Sequence, residues 1–171
     1  PKGVQDLAHP FPYNDLEALE ALLSSKQDKF AAVIMEPVNF FWPDSGYLEK
    51  VKEITNRHGA LLIFDEICSG FHFGLGGAQK LFDVTPDLAT FGKAMGNGWP
   101  ISCIAGRREI MQVFDDAFVS FTFAGDVSAM AASLKVLDIL ESGDAYARMS
   151  SAGAKLFDGA LVMAREADLE S

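Results

Sequence analysis

"FAAVIM", residues 30–35, and "ALLIF", residues 60–64, are short apolar runs separated by a stretch of different period. Neither alternates apolar with polar residues, so each predicts a strand buried on both faces, as in a parallel sheet. Between them, from Tyr47 to Arg57, Leu48, Val51 and Ile54 recur every three positions among Glu and Lys, the mark of a helix with one apolar stripe. Glu36-Pro37 ends the first run, and Gly59 after His58 supplies a left-handed helix end. Strand, helix and strand in this order predict a βαβ unit with a right-handed crossover. The chain therefore reads as an α/β domain.

Working outward, Leu16, Leu19, Leu22 and Leu23 predict a helix from Asp15 to Ser25, with Asn14 or Asp15 as its cap. After Asp65 comes the glycine-punctuated "EICSGFHFGLGGAQKLFDVTPD" (66–87), in which Gly76 and Gly77 shape a turn into a short helix. Strands are expected at "LATF" (88–91) and "ISCIAG" (101–106). A helix from Asp126 through Met130, Leu134, Leu137 and Leu140 carries a stripe with the period of core packing, and a second periodic segment runs from about 145 to 166.

With 171 residues and 49% hydrophobic content, the chain is long enough for one domain with a substantial core. Fourteen basic against 24 acidic residues give a net charge of −10, and no dense Lys/Arg run tracks a phosphate backbone, so nucleic acid is excluded as the expected partner. Cys68 and Cys103 lack CxxC spacing, and His9, His58 and His72 are scattered; reduced thiols and no metal site are expected. No apolar run approaches the ~18 residues of a membrane span. A soluble, cytoplasmic protein is the expectation.

Asp65 lies where the second apolar run ends, and Lys93 lies just after "LATF". If those strands are neighbours, acid and lysine face one crevice at the carboxyl edge of the sheet, where open α/β folds bind ligands. Two readings stand: a structural ion pair or solvated lysine, and a Schiff-base lysine paired with a carboxylate that keeps a heteroaromatic nitrogen protonated. Gly92, Gly96 and Gly98 suit the second, since backbone without Cβ admits a flat cofactor. Phosphate motifs fail: Ala94 stands where a P-loop needs Ser or Thr, and "GLGGAQ" (74–79) has Gln79 at its third glycine position and follows a loop.

"AAVIMEP", the long stretch from "HGALLIFDEICSGF" to "GWPISCIAGRREIM", and "FTFAGDVSAMAASLKVLDIL" together resemble the class III pyridoxal-phosphate aminotransferases, in particular the glutamate-1-semialdehyde aminomutase-like branch. The resemblance runs through nearly the whole chain. It implies the large domain of a fold-type I pyridoxal-phosphate enzyme, a mostly parallel sheet flanked by helices. Residues 1–143 are expected to be part of that cofactor-binding domain, and 144–171 a helix leading towards a C-terminal small domain. The opening "PKGV" and closing "ADLES" resemble internal segments of the family, so the piece by itself is expected to be inactive and to expose apolar surface.

By this resemblance Lys93 matches the lysine that holds pyridoxal 5'-phosphate as a Schiff base and then moves protons. Asp65 matches the carboxylate on the pyridine nitrogen. Ile67 is similar to the apolar residue on one ring face, with core packing as its alternative. Thr122 resembles the threonine that reaches the cofactor phosphate of the neighbouring subunit, which implies a homodimer with shared sites. Glu36 matches a family carboxylate near the cofactor, with ending the strand as its alternative, and Asn39 is a candidate to hydrogen-bond the ring hydroxyl or the substrate, although "VNFFWPDSG" departs from the longer aminomutase loop.

The implied function is transfer or migration of an amino group between small amino and keto compounds, with a racemase or decarboxylase of the same fold, or a non-catalytic piece, as alternatives. Other departures bear on the substrate. Cys68 replaces Met or Gln, "GNG" (96–98) replaces a triple glycine, and "FTFAGD" resembles relatives linked to amino-sugar or polysaccharide pathways. Cys68 is read as a small packing residue rather than a nucleophile; His72 and Trp99 are placed to line a substrate mouth or to pack, with packing preferred.

Overall fold

The computed structural model of the protein describes residues 2–25 and 30–169. Pro1, where the expected opening segment begins, and Glu170 and Ser171, at the close of the expected last segment, lie outside the described residues. In chain order the elements are α1 (Lys2–Gln5), α2 (Leu16–Ser25), β1 (Ala32–Met35), α3 (Tyr47–Arg57), β2 (Leu61–Asp65), α4 (Gly77–Leu81), β3 (Leu88–Phe91), β4 (Cys103–Gly106), α5 (Arg108–Met111), α6 (Val127–Ser142) and α7 (Ala145–Glu166).

The four strands form one sheet in the order β1-β2-β3-β4. β1 and β2 run parallel, with Met35 opposite Phe64, and β2 and β3 run parallel, with Asp65 opposite Thr90. β4 joins β3 antiparallel, Phe91 facing Cys103. The sheet is thus mostly parallel, and the βαβ unit joins β1, α3 and β2.

Local chemistry fixes the element ends. Asp15 caps α2 by accepting from Ala18 N at 2.8 Å. Asp126 caps α6 by accepting from Ser128 N at 2.9 Å. Gly59 takes φ +70 just beyond α3, a left-handed turn that L side chains disfavour. The core lies between the sheet and two helices: Val33, Leu62 and Phe64 meet Leu19 and Leu23 of α2 and Leu48, Val51 and Ile54 of α3.

Two burial expectations are corrected. The strands are not covered on both faces: Leu62 and Phe64 are sealed, whereas Ile34 is 61% exposed. α2 and α3 pack on the face that carries Val33, and an uninterrupted apolar run does not say which face its helices cover. On α6, Ala129 and Ser133 are the buried positions, while Met130 and Leu134 are 46% and 64% exposed. Helical spacing fixes that the apolar residues share a stripe, and small residues here face inward instead. α7 buries none of its described side chains, and Phe118, Phe121 and Phe123 ahead of α6 are exposed. Among the described residues no helix is long and apolar enough to cross a membrane.

Candidate active site

The parallel pairing of β2 with β3 places Asp65 beside Thr90 at the carboxyl edge of the sheet. Asp65 Oδ1 accepts from Thr90 Oγ1 at 3.1 Å and from Ile67 N at 3.0 Å. These two donors fix the carboxylate from one side. Glu66 N donates to Thr90 O at 2.9 Å, carrying the ladder one residue past the strand before the chain turns.

Glu66 anchors that turn. Its side chain is fully buried, and it accepts from Ala78 N at 2.6 Å, Gln79 N at 3.1 Å, Gln79 Nε2 at 3.0 Å and Ser69 Oγ at 3.1 Å. A buried carboxylate is tolerable when its lone pairs are met in this way. Gly77 makes room for it: φ is +62, and a Cβ there would lie 2.3 Å from Glu66 Oε2. The result is a fixed platform for Ile67 and Cys68.

Lys93 opens a single 3₁₀ turn, Lys93–Met95, with φ +41, a strained value for a residue with a side chain. Its carbonyl accepts from Gly96 N at 3.1 Å and Asn97 N at 3.0 Å, which hold the turn. The side chain is exposed to a cleft of about 610 Å³ lined in part by Phe71, His72, Asn97, Val136 and Ile139. Nζ donates to Cys68 Sγ. That contact first, and then the charges of Glu36 and Asp65, raise the lysine's pKa, with desolvation opposing them.

Glu36 follows β1 directly, so it stands next in the row to Asp65 on β2. Its Oε2 is buried without a hydrogen-bond partner. Ile67 is half-buried, and its Cγ2 would lie 3.7 Å from a Cβ on Gly92. Asn39 is exposed; it shares a recess with Glu36 and borders a cavity of about 580 Å³ lined also by Cys68, Ser69, His72 and Tyr146. The structure therefore brings Lys93, Asp65, Glu36, Ile67 and Cys68 together, with Asn39 at the margin. Thr122 is elsewhere: it is exposed in a groove lined with Ile101, Cys103, Phe121 and Met130 that contains none of those five.

Asp65 is near enough for its charge to raise the pKa of Lys93, but it does not line the cleft that the lysine borders, and among the described residues no direct ion pair joins them. The packing readings of Cys68, His72 and Trp99 are corrected. Cys68 is exposed against the lysine, His72 borders both cavities, and Trp99 is half exposed. Polar or wide side chains at a cleft rim leave the same sequence trace as core filling. The glycines also separate by role. Gly96 meets Trp99 O, 2.5 Å from where its Cβ would be, and Gly98 has φ +103; Gly92, at extended φ −170, has neither constraint. A Cβ there would make ordinary contacts with Ile67, Ile101 O and Ser102.

A lysine amine on a cleft, a nearby carboxylate fixed by two donors and a buried carboxylate oxygen lacking a donor fit a planar aldehyde cofactor with a basic ring nitrogen. Glu66 and Thr90 escape sequence reading. Thr90 becomes visible once the register of "LATF" against "LLIFD" is known, whereas Glu66 meets its partners twelve and thirteen residues on.

The family model described as aminotransferase class III matches residues 5–168. An omega-transaminase from Sphaerobacter thermophilus is 31% identical, with 97% of this chain and 40% of that one superposed at a TM-score of 0.85. An acetylornithine aminotransferase from Elizabethkingia anophelis is 33% identical over 77% of this chain and 36% of its own, at a TM-score of 0.72. The FumI protein of a Sphingopyxis species, solved as its PLP internal aldimine, superposes at 0.85 over 92% of this chain and 40% of its own; at 24% identity it speaks for the fold alone. The chain thus spans 40% or less of the length of these structures.

Proposed function

The chain belongs to the class III aminotransferases, and from that premise we propose that it holds pyridoxal 5'-phosphate and serves an enzyme that moves an amino group. One observation carries the reading: Asp65 ends β2, Lys93 follows the adjacent β3 close enough to feel the carboxylate's charge, and each is held by its own backbone turn. When bound, the cofactor supplies an electron sink for charge developing at the substrate carbon.

The residues divide the remaining work. Lys93 would hold the cofactor through Nζ, and its amine is the group that would carry a proton to and from the substrate carbon. The Asp65 carboxylate, oriented by Thr90 and the Ile67 amide, keeps the ring nitrogen protonated. Ile67, half-buried near Gly92, would supply an apolar contact to the ring. Glu36 and Asn39 supply polar groups at the margin, and Thr122 serves the phosphate of a second subunit in a homodimer. The donor and acceptor are small amino and carbonyl compounds, and the setting read from composition is the cytoplasm.

Between transfer and 2,1-migration, transfer is favoured because the similar structures named above include an omega-transaminase and an acetylornithine aminotransferase. The test uses an amino donor labelled with heavy nitrogen and an unlabelled carbonyl acceptor, with the natural protein that carries this sequence. Label in the acceptor is the expected result. Label retained in a rearranged donor means migration, and inversion or carbon dioxide release without label movement means a racemase or decarboxylase.

A further inference from the structure

Among the described residues at the ends of these strands, the carboxylate of Glu36 has a buried oxygen with no hydrogen-bond partner. It sits one residue beyond β1, level with Asp65 beyond Phe64, and its Oε2 is enclosed without a donor. A buried acceptor without a partner is unfavourable, so it is a place where a donor belongs. The other side chains of its recess do not serve. Tyr13 already donates its hydroxyl to Pro37 O at 2.7 Å, Met35, Phe40 and Phe41 have no donor, and Asn39 is out in solvent.

Lys93 has what Glu36 lacks. Its stem is flexible and its ammonium carries three donors, of which the Cys68 thiol engages one. We propose that Glu36 is a positioning residue for Lys93, its Oε2 receiving the lysine's N–H whenever Nζ is held neither by the cofactor nor by Cys68. The inference rests on the reading that Lys93 carries the cofactor, and it adds where the amine goes on release. A lysine that must leave and return needs a nearby resting point, since a flexible cation otherwise disperses into the cleft.

The groups around the amine have been placed on every side. Glu36 follows β1, Asp65 ends β2, Cys68 lies in the turn after β2, and His72 shares the cleft; α6 and α7 present Val136, Ile139, Leu140 and Met149, none of them charged. Asp65 is already engaged by Thr90 and the Ile67 amide. The raised pKa of Lys93, to which Glu36 contributes, agrees with this arrangement.

The test is the pH profile of acetylation at Lys93 by acetic anhydride, read by peptide mass spectrometry without cofactor, with Lys80 on α4 as internal reference. Glu36→Gln keeps the shape and removes the charge; below the pKa the free-amine fraction falls tenfold per pH unit, so a drop of ~0.5 to 1 unit raises Lys93 labelling roughly threefold to tenfold at mildly alkaline pH. Glu36→Asp retains a carboxylate and should return the profile most of the way to wild type. A Glu36→Gln profile that superimposes on wild type, or a rise shared equally by Lys80, overturns the proposal. If Glu36→Gln does not fold, Glu36→Asp decides alone: a profile far from wild type overturns it. Reductive trapping of pyridoxal phosphate on wild type is read separately. A tag on another lysine would defeat the functional reading while leaving the labelling result to judge Glu36.

Discussion

Thr90 Oγ1 donates to Asp65 Oδ1 at 3.1 Å across the parallel β2–β3 pair, so the register of two strands sets the direction of the carboxylate. Replacing Asp65 by Asn should preserve folding and lower turnover of the natural enzyme by ~10² or more, through loss of the ring proton and a weaker electron sink. Thermal unfolding checks the first part and steady-state kinetics the second. Near-normal turnover would remove Asp65 from the mechanism.

Gly77→Ala is expected to be severe. The new Cβ would meet Glu66 Oε2 at 2.3 Å, in a backbone conformation at φ +62 that alanine disfavours. Strain and the displaced carboxylate together should destabilise by at least ~2 kcal/mol. Urea unfolding is the measurement, and a midpoint equal to wild type would show that Glu66 does not anchor the turn.

Glu20 joins α2 to α3 by pairing with His58 at 2.8 Å and with Arg57. The His58 hydrogen bond first, and then Arg57, hold its carboxyl below the ordinary value of 4.5. A carboxylate whose pKa is lowered on folding adds stability above its unfolded value, and that stability is lost as pH falls through the folded one. Wild type should therefore lose stability more steeply than Glu20→Gln between about pH 5 and pH 3, the two curves converging in acid. Parallel curves in a pH series of chemical unfolding would contradict this.

These positions differ in how far the sequence exposes them. The strands and helices around Val33, Leu62 and Val51 follow from period alone, because short apolar runs and a striped helix leave distinct patterns, although the runs do not show that Ile34 faces outward. The strand-end places of Asp65 and Lys93 are legible too, but they leave a structural ion pair and a Schiff-base lysine both open, and the family resemblance is what favours the second. The outward turn of Met130 and Leu134 is not legible, since periodicity groups side chains on a face without saying what lies opposite. Cys68 reads as a small packing residue until the turn built on Glu66 sets it against Lys93.

Thr122 stands apart from the cluster, as a residue that serves a partner's site would. If it reaches the phosphate bound by a second copy, sedimentation should find an active two-fold dimer and no active monomer. Thr122→Val should weaken cofactor binding by ~1 to 3 kcal/mol, the effect of leaving a buried oxygen unpaired. Unchanged affinity would make Thr122 a surface hydroxyl without a role in the site.

The central claim is that Lys93 holds the cofactor. Its most direct test is borohydride reduction of the protein with pyridoxal 5'-phosphate, followed by proteolysis and mapping of the pyridoxyl group. The account predicts the tag on the peptide containing "TFGKAMGNG", at Lys93, and its loss in Lys93→Ala. A tag of equal yield on Lys80 or Lys135, or one that persists in Lys93→Ala, would contradict it.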